Sequence, residues 1–190
     1  MRVFGIAGHS GMGKTTLLER LIPTFKARGL RVSLVKHSHK DIEVDRPGKD
    51  SFRLREAGCS EVLLLGQHRW ALMHELRDDP EPALPELLSR LQHCDLVLVE
   101  GFKSGDFPKI EVWRAALDRP PLWPHWPGIG ALASDADADT RAAVNQALAR
   151  APQAHALPAP TWLPLHDTAA LADHIEAHAV AVHPTAGLQP

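Results

Sequence analysis

Tyrosine does not occur in the 190-residue chain, and Cys59 and Cys94 are its two cysteines. Neither belongs to a C-x-x-C pair, which suits a reducing compartment with two free thiols rather than a disulfide framework. No stretch of about 20 apolar residues exists, so no membrane-spanning helix is expected. No long apolar run precedes residue 8, so no signal peptide is expected and the cytoplasm is the default location. Neither sign of charge dominates, with 21 Lys and Arg against 23 Asp and Glu. That balance argues against broad non-specific nucleic-acid binding. No internal repeat occurs. The missing tyrosines, the 16 prolines and an Ala- and Pro-rich last third read as coding bias, with no functional meaning. What remains is ordinary for a globular chain with one core, at 44% apolar and 23% charged residues. A single domain over residues 1–182 is expected, with a frayed tail at 183–190.

The most informative stretch is Gly8-His9-Ser10-Gly11-Met12-Gly13-Lys14-Thr15, followed by Thr16. It fits G-x-x-x-x-G-K-[ST], the phosphate-binding P-loop, which a chain of this length matches by chance on the order of one time in a hundred. Its context also fits. Arg2 to Ala7 is an apolar run of strand length, and Leu17, Leu18, Leu21, Ile22 and Phe25 repeat at helical spacing. Gly8, Gly11 and Gly13 allow the tight turn that brings backbone N–H groups to phosphates. The helix N-terminus adds unpaired donors and partial positive charge. Lys14 is placed to reach the β- and γ-phosphates and the Thr15 hydroxyl to ligate Mg²⁺.

The helix is expected to run to about Arg28, with Pro23 inside it and Gly29 as its stop. Leu30 to Lys36 alternates and reads as a second strand, which makes a βαβ unit and a parallel sheet. That strand ends in Lys36, His37, Ser38, His39 and Lys40. Ligands bind at the carboxyl ends of strands in open α/β sheets, so Lys36 becomes a candidate phosphate contact. His37 and His39 lack companion ligands at a metal-site spacing. A polar loop around Pro47-Gly48 leads into a helix starting at Lys49 or Asp50 and stopping at Gly58. Asp50 has two readings, as a Mg²⁺ ligand or as a helix cap shared with Ser51. Residues 61–66 and 69–74 read as a hairpin, and Leu84, Leu87, Leu88 and Leu91 as a core-facing helical stripe.

Leu96 to Val99 is a continuous apolar run, as in a buried parallel strand, and it ends in Glu100. A carboxylate at the tip of such a strand is placed to hold Mg²⁺ or its water, although the usual residue there is Asp. Lys14 and Glu100 are therefore the catalytic candidates. Residues 109–114 alternate as a strand. The Pro-rich stretch Pro120 to Pro127, with Trp123 and Trp126, forms either an interaction surface or a cover for the core edge. Gly128 to Ala133 reads as a late strand ending in Ser134 and Asp135, without an N-K-x-D guanine motif. Residues 140–150 read as a helix and 161–165 as a short strand. A last helix capped by Asp167 runs to about Ala181. The fold class is α/β, a mostly parallel sheet flanked by helices with a middle hairpin extension.

Four stretches in this order resemble the MobB family of molybdopterin-guanine dinucleotide biosynthesis adapter proteins. They are Gly8 to Thr16, Lys36 to His39, the run from Asp45 through Pro47, Gly48, Lys49, Asp50 and Ser51, and Leu98 to Lys103 with Lys109 to Arg114. One departure is Lys40, where members often carry another histidine, which argues against a histidine-based role for that loop. The resemblance implies a GTP-binding protein with weak Mg²⁺-dependent GTPase activity. It assists the MobA guanylyltransferase in converting Mo-molybdopterin to molybdopterin guanine dinucleotide. It also implies a homodimer with a shared sheet, into which residues 61–76 and 109–114 would fit. Gly11, Gly13, Lys14, Thr15 and Thr16 carry over for phosphate and Mg²⁺, and Asp50 and Glu100 as metal-side acids. Two other functions compete. A small-molecule P-loop kinase needs an Arg-rich lid, for which Arg46, Arg53 and Arg55 are the candidates. A metal-handling GTPase needs a Cys/His cluster, which the 12 dispersed histidines do not offer.

Overall fold

Arg2–Ala7 becomes β1, buried from Val3 onward, as its unbroken apolar run requires. The remaining elements of the computed structural model follow in chain order: α1 (Lys14–Ala27), β2 (Val32–Lys36), α2 (Asp50–Glu56), β3 (Glu61–Leu65), β4 (Trp70–His74), α3 (Leu84–Ser89), β5 (Leu96–Glu100), β6 (Lys109–Trp113), β7 (Ile129–Ser134), α4 (Ala138–Ala149), β8 (Thr161–Pro164), α5 (Thr168–His178) and β9 (Val180–Ala181). The structure describes residues 1–38, 42, 44–102, 105–126, 128–149 and 158–182. Expectations placed on His39, Lys40, Lys103, Pro127 and the tail from His183 lie outside them. Two compact units emerge, Met1–His37 with Leu84–Pro190, and Ser38–Ala83.

The first unit is built on a sheet in the order β2-β5-β1-β6-β7-β8, all parallel. α1 buries Leu17, Leu18, Leu21 and Phe25 against it and carries Pro23 inside. Gly29, at φ +81°, ends the helix, and the Leu30 N–H returns to the Phe25 carbonyl at 3.1 Å. α3 is shorter than the leucine stripe suggested, but Leu88 is buried and Leu84 and Leu91 pack beside it. α4 starts two residues earlier than expected because the Asp137 carboxylate accepts the Thr140 N–H at 2.8 Å. Asp167 caps α5 as expected, accepting the Ala170 N–H. Trp123 lies in the core, so the Pro-rich loop covers the core edge there. Among the described residues no helix is long and apolar enough to cross a membrane.

Two expectations need correction. The last helix ends at His178, and Val180–Ala181 pairs antiparallel with Arg2 and Val3. β6 joins β1 only from Gly5 onward, so the first residues of β1 leave an open edge that β9 fills. The second correction concerns β6. The family resemblance implied that β6 could fit into a sheet shared with a second subunit. Instead it lies between β1 and β7 with all five residues buried, Lys109 and Glu111 included. β1 pairs with Lys109 to Glu111 on one side and β7 with all five residues on the other, so β6 is an inner strand and not a free edge for a second copy. The Lys109 ammonium is satisfied internally, donating to the carbonyls of Gly105 (2.6 Å) and Phe107 (3.2 Å). Burial lowers its pKa.

In the second unit β3 and β4 form the expected antiparallel hairpin, with Leu63 opposite Leu72 and Leu65 opposite Trp70. The pleat puts these four on one face, all exposed, while Val62 and Met73 on the other face are buried. α2 packs against β3 and ends before Gly58, at φ +114°. The capping reading of Asp50 does not hold. Lys49 occupies the N-cap position and Asp50 the first turn, while Ser51 hydrogen-bonds the Asp45 carboxylate. Arg55 is also spoken for. Its guanidinium grips Asp45 and Glu75, both at 2.7 Å, and holds the Asp45 carboxyl below its ordinary pKa. An arginine committed to two carboxylates is unavailable as a catalytic finger or kinase lid.

Candidate nucleotide site

The loop between β1 and α1 depends on two glycines. At Gly8, φ is +136° and a Cβ would lie 2.6 Å from the Val112 carbonyl of β6, so no other residue passes there. Gly13, at φ +93°, turns the chain into α1 in a left-handed conformation. Lys14 is the first residue of that helix. Its ammonium donates to the carbonyls of Gly8 (2.9 Å) and His9 (3.0 Å), the loop's own rim. Burial lowers the Lys14 pKa, the Glu100 carboxylate opposes that shift, and the Lys36 ammonium adds to it.

Glu100 ends β5, paired in register with Ile6 of β1 on one side and Lys36 of β2 on the other. Gly101 follows at φ +88°, where a Cβ would meet the His37 carbonyl at 2.7 Å. The His37 N–H donates to the Glu100 carbonyl, and the His37 ring leans on Phe102 at 5.0 Å between centroids. The Glu100 carboxylate is buried and faces the Lys36 ammonium at 3.6 Å. A cleft of about 390 Å³ results, lined by Ser10, Gly11, Gly13, Lys14, Thr15, Lys36 and Glu100.

The structure thus brings most of the expected residues together. Among the described residues, the cleft lining leaves out Gly8, His9, Met12 and Thr16. Gly8 contributes its carbonyl to Lys14. The His9 ring pairs with the Pro120 carbonyl at 3.1 Å. Met12 is buried in the core, and Thr16 lies exposed on α1. Asp50 belongs to the second unit.

Two neighbours of the loop escaped the sequence reading as site residues. The Arg114 Nε donates to the Met12 carbonyl at 3.1 Å, and its Nη1 pairs with Asp135 at 2.9 Å. The only available signal was its position just past a strand tip. Glu111 pairs with Ala7 in the sheet and accepts the N–H groups of Leu122 and Trp123 at 2.8 to 3.0 Å. Burial pushes its carboxyl up to about 7, against the pull of those donors.

That shift predicts a pH dependence. Unfolded Glu111 releases its proton near the ordinary value of 4.5 and folded Glu111 near about 7, so between them the folded state holds the extra proton. The stability it contributes is full below the lower value and is lost as pH rises through the upper one. The loss amounts to about 3 kcal/mol at most. Urea unfolding at pH 5 and pH 7.5 is expected to show that decline, and Glu111→Gln to flatten it. An equal slope in both proteins would contradict the assignment.

A glycine-rich loop joining a buried strand to a helix, with its lysine facing a carboxylate at the tip of the adjacent parallel strand, defines a P-loop NTPase. Within that class the chain belongs to the MobB family: the model for molybdopterin guanine dinucleotide synthesis protein B matches residues 3–135. The molybdopterin-guanine dinucleotide biosynthesis adapter protein of Haemophilus influenzae is 49% identical over 121 residues, covering 62% of this chain and 66% of that protein. The Escherichia coli K12 protein of the same name is 49% identical over 114 residues, covering 59% and 65%. The match thus spans a little under two thirds of each relative's length. A crystal structure of molybdopterin-guanine biosynthesis protein B aligns with a TM-score of 0.66 at 23% identity, over 92% of this chain and 98% of that one. At that identity it speaks to the fold alone.

Proposed function

We propose that this chain binds Mg·GTP at the loop Gly8 to Thr15 and hydrolyses it slowly. In this reading it serves as a cytoplasmic adapter for the MobA guanylyltransferase in converting Mo-molybdopterin to molybdopterin guanine dinucleotide. The observation that carries it is the cleft in which Lys14 faces Glu100, supported by the names of the relatives. The donor set fits the nucleotide and its ion. Lys14 rests on loop carbonyls in reach of a phosphate, the α1 N-terminus supplies N–H donors, and Thr15 and Glu100 offer hard oxygen ligands. Thr15 and Glu100 would hold Mg²⁺, which would offset the negative charge of the phosphates. Lys36 steadies the Glu100 carboxylate and adds positive charge to the rim.

Slow turnover follows from what the cleft offers. Phosphoryl transfer is accelerated by a water-positioning side chain and an arginine finger. The cleft lining includes neither a Gln nor an Arg among the described residues, and Arg55 is engaged elsewhere. Steady-state assays with Mg²⁺ and GTP are expected to give a slow rate that needs no small-molecule acceptor. Immobilised chain is expected to retain MobA. Fast turnover dependent on one small acceptor would instead support the kinase.

The homodimer enters through the hairpin. Leu65 is 83% exposed and Trp70 56%, beside exposed Leu63 and Leu72, and a two-stranded sheet leaves unpaired edges. A second copy of the hairpin covers such a face with its own equivalent surface. Leu65→Lys with Trp70→Lys is expected to convert a dimer to a monomer in sedimentation velocity. A variant that stays dimeric would remove the hairpin from the interface.

A further inference from the structure

We propose that Arg114 is a positioning residue for the phosphate loop: its guanidinium locks the Met12–Gly13 peptide so that the Gly13 N–H faces the bound phosphates. The inference rests on the nucleotide reading above and adds a residue that acts on the loop from outside the cleft.

Arg114 directly follows β6, whereas Lys36 and Glu100 stand at the tips of β2 and β5. The sheet order puts them on opposite sides of β1, and so of the loop into which β1 leads. On its own side Arg114 takes hold of one loop residue by two bonds. Its Nε donates to the Met12 carbonyl at 3.1 Å, and its backbone N–H donates to the Met12 sulfur at 3.4 Å. The Met12 side chain is itself fully buried in the core, so this residue is fixed through both its side chain and its carbonyl.

Amide geometry carries the effect across the loop. The peptide is trans and planar, so the Met12 carbonyl and the Gly13 N–H point in opposite directions. A carbonyl held toward Arg114 turns that N–H away from it, toward the side on which Lys36 and Glu100 stand, and Gly13 lines the cleft. Gly13 sits at φ +93°, and glycine accepts either sign of φ, so without a clamp the peptide would flip at little cost. A flip would set a carbonyl where a phosphate requires a donor. The clamp calls for arginine in particular. While Nε holds Met12, Nη1 pairs with the Asp135 carboxylate at 2.9 Å, which keeps the guanidinium plane in place. A lysine stretched to Asp135 would lay a methylene, with no donor, against the Met12 carbonyl.

The test reads the peptide directly. Met12–Gly13 is the one Met–Gly pair in the sequence, so methionine labelled with ¹³C at the carbonyl and glycine labelled with ¹⁵N mark a single amide resonance. In the unaltered apoprotein one sharp line is expected, and in Arg114→Lys and Arg114→Gln a split or broadened one, with a thermal melt to show that both variants are folded. By calorimetry with Mg²⁺ both variants are expected to bind GTP and GDP about 10-fold more weakly, equally for the two because each carries the α- and β-phosphates that the loop N–H groups hold. An unchanged Gly13 resonance in both variants would overturn the proposal. So would full affinity in Arg114→Lys, which would leave only the positive charge to matter, or a loss confined to GTP, which would make Arg114 a finger for the terminal phosphate. Asp135→Asn keeps an acceptor for Nη1 and is expected to lose less affinity than Arg114→Lys. A larger loss would make Asp135 the residue that meets the ligand and would also overturn the proposal. Binding of neither nucleotide by the unaltered protein would overturn the nucleotide reading and the proposal with it, and the Gly13 resonance, read without nucleotide, tells that failure from a failure of the clamp.

Discussion

Lys14→Ala is expected to lower affinity for Mg·GTP by about 100-fold or more, the loss of charge-assisted hydrogen bonds to two phosphates. The ammonium stands between the loop carbonyls of Gly8 and His9 and the Glu100 carboxylate, so no other described cation occupies that point of the cleft. Lys36 approaches from the far side and is tied to Glu100. The substitution leaves the fold a clean control. Alanine is the best helix former, and Lys14 begins α1 with a half-buried side chain whose bonds go to its own loop. The melting temperature of the apoprotein should hold or rise slightly, because a partly desolvated ammonium has been removed. Calorimetry reads the affinity and a thermal melt reads the fold. Unchanged affinity in a folded variant would remove the loop from nucleotide binding.

Glu100→Gln separates binding from turnover. The change keeps shape and removes charge at the tip of β5, where the carboxylate is buried and faces Lys36 and Lys14. Mg²⁺-dependent hydrolysis is expected to fall by about 100-fold, a typical loss when one electrostatic element of an active site is neutralised. GTP affinity is expected to change by only about threefold, because Lys14 and the loop N–H groups still hold the phosphates. Glu100 also counters the lowering of the Lys14 pKa, so neutralising it pushes that pKa down further. The nucleotide affinity of the variant should therefore weaken at a lower pH than that of the unaltered protein. Intact hydrolysis in Glu100→Gln would reduce Glu100 to holding Lys36 in place.

What could be read beforehand follows from the range of the forces involved. β1, α1 and β5 were legible because continuous apolar runs and helical periodicity are local signals of burial. The loop was legible because phosphate binding demands glycines and a lysine at fixed spacing. β6 was legible as a strand, but the burial of both its faces was not, because alternation is the pattern of an ordinary half-exposed strand. Here Lys109 satisfies its ammonium on carbonyls of its own connecting loop, and Glu111 accepts backbone N–H groups of the Pro-rich loop. Both charges are buried by partners that no spacing rule anticipates. β9 was absorbed into the last helix because two residues carry no periodicity, and their place depends on where β6 leaves β1 open. Arg55 illustrates the same limit, since Asp45 and Glu75 are distant in sequence and decide its availability. Arg114 and Asp135 are 21 residues apart, and the parallel neighbours β6 and β7 bring them together.

The most direct test of the account is an isothermal titration of the purified chain with GTP and with ATP, both with Mg²⁺, repeated in the presence of MobA. The account predicts saturable GTP binding, a clear preference over ATP, and a MobA complex that forms with the nucleotide-bound chain. Binding of neither nucleotide, or a preference for ATP, would contradict it.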